Sequence, residues 1–402
     1  MNKRVDPPQA ERAGRALRVT MLGIRGFPDV QGGVEKHAEN LACALVRLGC
    51  EVEAIVRSSY VAKEKGAIWR GVRLARIWAP RMTGVEAFAH TFLGVVYAGL
   101  RRPDILHIHA IGPAFFAPLA RALGLNVVVT FHSRNYEHKK WGRFARLLLR
   151  LGERAGMKFA DGRIAVSEGL AKQLTNTYRR PVVTIPNGID KPHMAVTSET
   201  LRAFGLTPNR YALMVARIDE DKRQLDLIEA YARLHPADWK LALVGAADYA
   251  GSYARDVADA ARKTPGVVML GHQSGVALAE LYTHAGLFVL PSRFEGQPIA
   301  VLEAASYGLP VILSDIAAHR EIALPRARYF NVGDLPALAE HLAAMFAAPV
   351  IEKSAAHERA RLLARHDWDA IAQRTLAIYC AALSGTKSGL AGEPAVKIKE
   401  LS

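Results

Sequence analysis

Residues 287–315, LFVLPSRFEGQPIAVLEAASYGLPVILSD, contain a complete strand–helix–strand unit. The apolar runs Leu287 to Leu290 and Pro310 to Leu313 read as two buried strands. The Ala- and Leu-rich segment between them reads as a helix that starts near Pro298, because proline suits the first helical turn. Strands joined through a helix pair in parallel. This stretch therefore predicts an α/β fold with a parallel sheet.

The same alternation extends in both directions and is interrupted once, between residues 186 and 208, where Pro, Thr and Ser are frequent. We place a domain boundary near residue 190 and predict two Rossmann-like domains, 1–190 and 191–365. A chain of 402 residues suits two domains of this size. The predicted strands before the boundary are 17–23, 51–56, 104–109, 126–131, 163–166 and 181–185, and those after it are 211–215, 239–244, 267–270, 287–290 and 310–313.

The C-terminal segment follows a different pattern. Residues 366–383 predict an amphipathic helix that either closes the second domain or crosses back onto the first. Residues 384–402 predict a flexible tail. Two facing parallel sheets leave a cleft between the carboxyl ends of their strands, where open α/β sheets bind ligands.

Cysteine content and hydropathy indicate a cytoplasmic protein. The three cysteines form neither a CxxC pair nor a zinc-ligand pattern, which is typical of a reduced compartment. Residues 1–17 lack the apolar core of a signal peptide. The longest apolar run, Phe88 to Leu100, has 13 residues, whereas a membrane-spanning helix needs about 20.

The positive charge of the chain is confined to one half. Lysine and arginine minus aspartate and glutamate give 31 − 15 = +16 for residues 1–195 and 22 − 23 = −1 for the remainder. A one-sided basic field predicts an anionic partner: phospholipid, nucleic acid or a phosphorylated acceptor.

Two glutamates after the strand at 287–290 carry the most specific signal. Glu295 lies in the loop, next to Gly296, and Glu303 lies eight residues later, inside the helix. Two carboxylates at this spacing can bind sugar and ribose hydroxyls while the helix N-terminus holds phosphate. The structural alternative is a helix cap and a surface glutamate, although a glutamate in an otherwise apolar helix is poorly explained as surface.

Cations and glycines follow the first strand of each domain. Arg217 and Lys222, in VARIDEDKR, can compensate the charge of a diphosphate leaving group, or are simply solvated. Gly32 and Gly33 precede a helix and let backbone N–H groups approach an anion, or form a tight turn without a ligand. Their spacing is not the GxGxxG of a dinucleotide fold.

Histidines end two first-domain strands. His132 follows one strand, in VVTFHSRN, and a histidine in that place is either structural or directed at a ligand. His107 and His109 end another and have the spacing of a metal-ligand pair, but no third ligand of suitable spacing is evident. His109 is predicted to line the cleft and His107 to pack inside.

A basic amphipathic helix is predicted at 139–158, KKWGRFARLLLRLGERAGMK. Its cations step by three or four residues and lie beside aromatic and aliphatic side chains. This pattern is typical of a helix that lies on an anionic membrane surface, and also of a helix packed on a sheet. The residues predicted to contact the acceptor or the membrane are Trp141, Arg143, Arg146, Arg150 and Arg154.

Four motifs in one order resemble family 4 glycosyltransferases of the GT-B fold. They are the glycine pair at 32–33, PNGID at 186–190, Arg-x4-Lys at 217–222 and PSxxEG-x6-Glu at 291–303. The resemblance spans residues 18 to about 383. IRGFPDVQGGVEKHAENLA also resembles bacterial polysaccharide-assembly rhamnosyl- and glucosyltransferases.

The resemblance implies a retaining enzyme, with Glu303 at the ribose, Glu295 at the donor sugar, and Arg217 and Lys222 at the diphosphate. It places His132 near the reacting sugar. Residue 297 is often apolar in the family, so Gln297 leaves the sugar open. The implied catalytic residues are His132, Arg217, Lys222 and Glu295, and the implied nucleotide- and sugar-binding residues are Gly32, Gly33, Arg217, Lys222, Gly271, His272, Glu295, Gly296, Gln297, Pro298, Ile299 and Glu303.

These features predict a hexosyltransferase that moves a sugar from a nucleoside diphosphate, with UDP favoured, to a lipid-linked or saccharide acceptor in bacterial polysaccharide synthesis. No Asp-x-Asp sits at the end of a strand, which favours catalysis without a metal or other cofactor. The expected location is the inner face of the inner membrane. Nucleic acid is not expected, because the basic helix lacks a stacking platform. A nucleotide-sugar epimerase and a non-catalytic nucleotide-sugar-binding protein remain alternatives.

Overall fold

The computed structural model describes residues 15–61, 66–80, 82, 85–134, 136, 142–248, 251–347 and 356–385. It contains two parallel-sheet α/β domains, as predicted, and each sheet has helices on both faces. Among the described residues, no helix combines the length and the apolar character needed to cross a bilayer.

The first sheet has eight strands in the order β3-β4-β2-β1-β5-β6-β7-β8, and all its pairs are parallel except β3–β4. Its strands are β1 Arg18–Leu22, β2 Glu51–Arg57, β3 Ile68–Trp69, β4 Val72–Ile77, β5 Ile105–His109, β6 Val127–Phe131, β7 Gly162–Ala165 and β8 Val183–Thr184. Its helices are α1 Gly33–Arg47, α2 Val85–Arg101, α3 Ala117–Ala122, α4 Arg143–Phe159 and α5 Glu168–Tyr178, with a 3-10 turn at Pro113–Phe116.

The second sheet has six parallel strands in the order β11-β10-β9-β12-β13-β14. This is the doubly wound order, in which the strand sequence reverses beside the first strand and leaves a crevice there. The strands are β9 Tyr211–Val215, β10 Lys240–Val244, β11 Val267–Gly271, β12 Leu287–Leu290, β13 Val311–Ser314 and β14 Arg328–Phe330. The helices are α6 Glu199–Ala203, α7 Gln224–Ala232, α8 Ser252–Lys263, α9 Gly275–His284, α10 Ile299–Ser306, α11 Ala317–Arg320, α12 Leu335–Ala347 and α13 Ala356–Arg365, with a 3-10 turn at Glu220–Lys222.

The central strands are uninterrupted apolar runs because helices cover both of their faces. Every residue of β5, β6 and β12 is buried. The exceptions in β5 are His107 and His109, which are polar side chains on fully buried positions. This combination places ionisable groups at the carboxyl edge of the first sheet.

The last helix, α14 (Trp368–Ser384), returns to the first domain. Asp367 caps it by accepting hydrogen bonds from the backbone N–H groups of Asp369 and Ala370. Trp368 and Tyr379 then pack into the same apolar core as β1 and α1. Because the chain passes from the first core at Ile185 to the second at Ile189, the two domains are joined both by this linker and by α14.

Candidate active site

The turn between β1 and α1 brings a helix N-terminus to the cleft. Gly32 has φ +147°, and a Cβ there would lie 2.1 Å from Glu35 Oε2, so only glycine fits. Gly33 begins α1, and a Cβ there would meet nothing within 4 Å. Gly32 makes no side-chain cap bond. The first N–H groups of α1 are therefore available to an anion.

Lys222 and Glu295, predicted from separate motifs, form a direct ion pair. The 3-10 turn carries Lys222, and its Nζ lies 2.6 Å from Oε1 of Glu295 in the loop after β12. Burial alone raises the pKa of Glu295, but the charge of Lys222, helped by His319, holds that pKa below its usual range. Glu295 is therefore an anion at neutral pH, and the ammonium keeps donors beyond its bond to Glu295.

Arg217, the second predicted cation, binds the carboxylate of Asp248 together with Arg25 of the first domain. Arg217 hydrogen-bonds Asp248, and Nη1 of Arg25 lies 2.5 Å from the other oxygen of Asp248. Nε of Arg25 also lies 3.0 Å from Glu35. Burial raises the pKa of Asp248, but the two guanidinium groups bring it below its usual value. The sequence analysis missed Arg25 and Asp248, which lie 223 residues apart.

Glu303 lies in α10 and accepts a hydrogen bond of 3.0 Å from the hydroxyl of Tyr282. Burial raises the pKa of Glu303, and the positive charge of Lys36 on α1 opposes that rise. Lys36 Nζ lies 3.2 Å from Asp190 of the PNGID motif. Lys36 was not predicted; its position in the first turn after the glycine pair was the available signal.

His132 lies at the carboxyl end of β6 and is buried. The backbone of Gly296 packs on it so closely that a Cβ at Gly296 would lie 1.8 Å from the His132 carbonyl oxygen. Nε2 of His132 lies 3.2 Å from Nδ1 of His109. Burial, and then the nearby imidazoles, hold the pKa of His132 well below 6.5, so the ring is neutral at pH 7. His132 therefore lies next to the loop that carries Glu295.

Gln297 forms two hydrogen bonds with Asn187 of the interdomain linker. Its Oε1 accepts a 2.6 Å hydrogen bond from the backbone N–H of Asn187, and Asn187 Nδ2 donates to the Gln297 carbonyl oxygen at 2.9 Å. The side-chain oxygen of Gln297 is therefore engaged by the interdomain linker. Pro298 precedes α10 and Ile299 begins it, as expected.

The loop after β11 faces the first domain at the edge of the cleft. Gly271 ends the strand with φ +65°, and His272 beside it is exposed. Partial burial lowers the pKa of His272, and Asp29 of the first domain opposes that change. Ser274 Oγ lies 3.5 Å from Asp29. This loop is thus within reach of the β1–α1 turn.

The predicted basic helix is α4, and its exposed face carries both charge and apolar groups. Phe144 is 73% exposed and Leu147 is 52% exposed. Arg143, Arg150 and Arg154 are exposed on the same helix, whereas Arg146 is only partly so. Trp141 lies outside the described residues. The opposite face is anchored by buried Glu153, which accepts hydrogen bonds from Arg134, Tyr136 and Tyr178.

A second apolar surface lies on α2, which the sequence analysis considered only for its length. Phe88 packs against Phe115 and Phe116, with ring centroids 5.4 and 4.6 Å apart. Both α2 and α4 pack against the 3-10 turn that contains these two rings. Helix α2 nevertheless leaves large apolar side chains exposed along one side: Val85, Phe88, Phe92, Leu93, Val96 and Leu100.

Residues 31–191 match the model of Glycosyltransferase Family 4, and residues 209–348 match Glycosyl transferases group 1. A glycogen synthase of Mycobacterium tuberculosis is 27% identical, covering 92% of this chain and 96% of that protein.

Solved structures agree on the fold. Sucrose-phosphate synthase from Thermosynechococcus elongatus aligns with a TM-score of 0.78 at 19% identity, covering 92% of this chain and all of that one. Anabaena Alr3699/HepE in complex with UDP-glucose aligns with a TM-score of 0.74 at 17% identity, covering 91% and 99%. The matched models show that the chain is a glycosyltransferase of family 4, and the solved structures show that it has the GT-B fold.

Proposed function

We propose that this enzyme transfers a sugar from a nucleoside-diphosphate donor, with UDP as the nucleotide, and retains the anomeric configuration. The observation that supports this most is the ion pair of Lys222 with Glu295, which directly precedes the glycine whose backbone packs against the backbone of His132. A cation for the diphosphate and a carboxylate for the sugar then lie at the same point of the cleft. The UDP-glucose bound by HepE favours UDP as the nucleotide.

The donor would lie between the two domains. Glu303, in contact with Tyr282, would hold the ribose hydroxyls. Arg217 and Lys222 would bind the diphosphate from the second domain, and the N-terminus of α1 at Gly33 would face it from the first. The bond of Arg217 to Asp248 would have to yield to the diphosphate, because a guanidinium binds phosphate and carboxylate with the same donors.

The mechanism proposed for this site is a front-face displacement without a metal. As the glycosidic bond breaks, negative charge develops on the leaving diphosphate, which Lys222 and Arg217 would stabilise. The diphosphate would take the proton of the acceptor hydroxyl. His132, neutral because of burial, would be able to donate or accept a hydrogen bond at the sugar without adding charge. Domain closure would exclude water and so limit hydrolysis of the donor.

For the acceptor we propose a lipid-linked or saccharide molecule of bacterial polysaccharide synthesis, reached at the cytoplasmic face of the inner membrane. The exposed arginines of α4 would bind lipid phosphate, and Phe144 and Leu147 would enter the acyl boundary. The exposed apolar side of α2 would extend this surface. The excess charge of +16 in residues 1–195 also favours binding to an anionic membrane surface.

The test combines a panel of UDP-, GDP- and dTDP-sugars with bacterial lipid extract and measures release of the nucleoside diphosphate. We expect release from one donor only when extract is present, and loss of release in Lys222→Ala. An epimerase would convert the sugar without releasing the nucleotide. A non-catalytic protein would bind a donor and leave it unchanged. Either result would overturn the proposal.

A further inference from the structure

Three buried imidazoles from three different elements converge beside the cleft. They are His37 on α1, His109 at the end of β5 and His132 at the end of β6. Each offers one ring nitrogen, and these three nitrogens all lie within 4.8 Å of one another. The sequence had suggested His107 and His109 as a metal-ligand pair, but both nitrogens of His107 are engaged, by Tyr379 and Thr130. The structure thus replaces His107 with two other histidines.

Two of the ring nitrogens have no partner within the described part of the chain. Nε2 of His37 and Nε2 of His109 are both buried and without a hydrogen bond. Buried polar atoms are nearly always satisfied, so each such atom requires an explanation. Nδ1 of His37 lies 2.9 Å from the side-chain oxygen of Asn187. If Nδ1 carries the proton and donates it there, Nε2 becomes a lone-pair acceptor directed into the cluster.

The spacing of the rings fits three ligands of one ion. Zinc binds imidazole nitrogen at about 2.0–2.1 Å in tetrahedral geometry, so ligand nitrogens are about 3.3 Å apart and ring centroids about 5 Å apart. The centroids here are 4.8 Å apart for His37–His132, 5.5 Å for His109–His132 and 5.6 Å for His37–His109. Nδ1 of His109 lies 3.2 Å from Nε2 of His132.

We propose that His37, His109 and His132 form a binding site for a divalent transition-metal cation of the Zn²⁺ class. The hydrogen bond from His37 to Asn187 is the outer contact that typically orients a metal-bound histidine. Three histidine ligands leave one tetrahedral position for water or a ligand in the cleft. Burial keeps all three imidazoles unprotonated, which metal binding requires.

The bound cation would inhibit transfer, and this consequence rests on the proposed function. Because His132 is placed beside the donor sugar, a cation that occupies its ring nitrogen and a nucleotide sugar would compete. The site is therefore one for an inhibitory metal, separate from the charge compensation by Arg217 and Lys222.

The binding test uses the full chain, stripped with EDTA and titrated with Co²⁺, which reports tetrahedral nitrogen coordination by its visible absorption. We expect one Co²⁺ per chain, displaced by Zn²⁺. His37→Gln should weaken binding at least about a hundredfold, because loss of an outer contact alone costs about 10–100-fold. His90→Gln is the control, since His90 is also buried with an unpartnered Nε2 but lies outside the cluster. Circular dichroism of both variants verifies folding.

Absence of the tetrahedral band in the wild type, or an equal band in folded His37→Gln, would overturn the metal site. Competition is tested separately: Zn²⁺ should raise the apparent KM for the donor in the wild type and in His90→Gln, but much less in His37→Gln. Metal binding without any effect on KM would refute the competition. If no donor is turned over at all, the proposed function fails while the Co²⁺ titration still decides the site.

Discussion

At the scale of single residues, the carboxyl ends of the strands were the predictable part of the site. Glu295, Lys222 and His132 were identified because each follows a strand, and parallel strands end at one edge. Their partners were not predictable. Lys222 and Glu295 are 73 residues apart in the chain, and no local pattern specifies which cation meets which carboxylate. Lys36 and Arg25 were missed for the same reason.

Lys222→Ala is expected to lower turnover by roughly two to three orders of magnitude, as loss of one transition-state donor does. The leaving diphosphate would lose a cation, and Glu295 would remain as a buried unpaired anion. Steady-state kinetics with the productive donor measures the effect. Lys172→Ala, an exposed lysine of α5, is the matched control. Equal turnover in Lys222→Ala and the control would contradict the assigned role.

Gly33→Ala should leave the melting temperature unchanged, because its Cβ meets nothing within 4 Å. The methyl group would nevertheless point into the space where the donor phosphates are expected. We predict a rise in donor KM of about tenfold, or about 1.4 kcal/mol. Gly32→Ala should instead lower the melting temperature, because of its positive φ and its contact with Glu35. A normal KM in Gly33→Ala would place the phosphates elsewhere.

The buried His90 predicts a loss of stability in acid. Burial, and then the charge of Arg57, lower the pKa of His90 to about 4, and a hydrogen bond with the Val56 backbone opposes this change more weakly. Beside His90, Arg57 forms an ion pair with Glu86. As the pH falls, His90 therefore binds a proton near pH 6.5 in the unfolded chain but only near pH 4 in the folded chain. Stability is complete above pH 6.5 and falls as the pH decreases toward 4, by up to roughly 3 kcal/mol from this residue.

Denaturant unfolding at pH 7 and pH 4.5 tests this dependence. His90→Gln removes the titrating group, so its free energy of unfolding should fall less between the two pH values than that of the wild type. An identical fall in both proteins would show that His90 does not contribute.

At the scale of elements, most strands followed from the sequence, because buried parallel strands are continuous apolar runs. The strands β3, β4 and β14 were not predicted, nor was the strand order of either sheet. Which of the two domains α14 packs against did not follow from the sequence. Its amphipathic pattern suits either domain, and only tertiary packing of Trp368 and Tyr379 decides for the first. The exposure of the apolar side of α2 was also not predictable, since a hydropathy pattern does not show whether another element covers it.

Reversal of the charges on α4 tests its proposed membrane role. The triple variant Arg143→Glu, Arg150→Glu and Arg154→Glu should lose cosedimentation with phosphatidylglycerol vesicles, because each cation near an anionic surface contributes about 1 kcal/mol. Phosphatidylcholine vesicles should bind neither protein. A variant with Arg233→Glu and Arg262→Glu, on exposed second-domain helices, is the control. Undiminished binding of the triple variant would refute a membrane-facing α4.

At the scale of the whole molecule, the sequence predicted two lobes and a cleft but not how they meet. Arg25 bonds Asp248, Asn187 bonds Gln297, and Gln31 forms two hydrogen bonds with the backbone of Ala246. These contacts join residues more than 100 positions apart, so they depend on the final arrangement of the domains. They hold the β1–α1 turn against the loop after β10, and the interdomain linker against the loop after β12.

The central claim is that a nucleoside diphosphate binds in this cleft between Lys222 and α1. Isothermal titration of UDP into the wild type and into Lys222→Ala tests it most directly. We expect one UDP per wild-type chain and an affinity at least about tenfold weaker in the variant, or about 1.4 kcal/mol. No binding to the wild type, or the same affinity in both proteins, would contradict it.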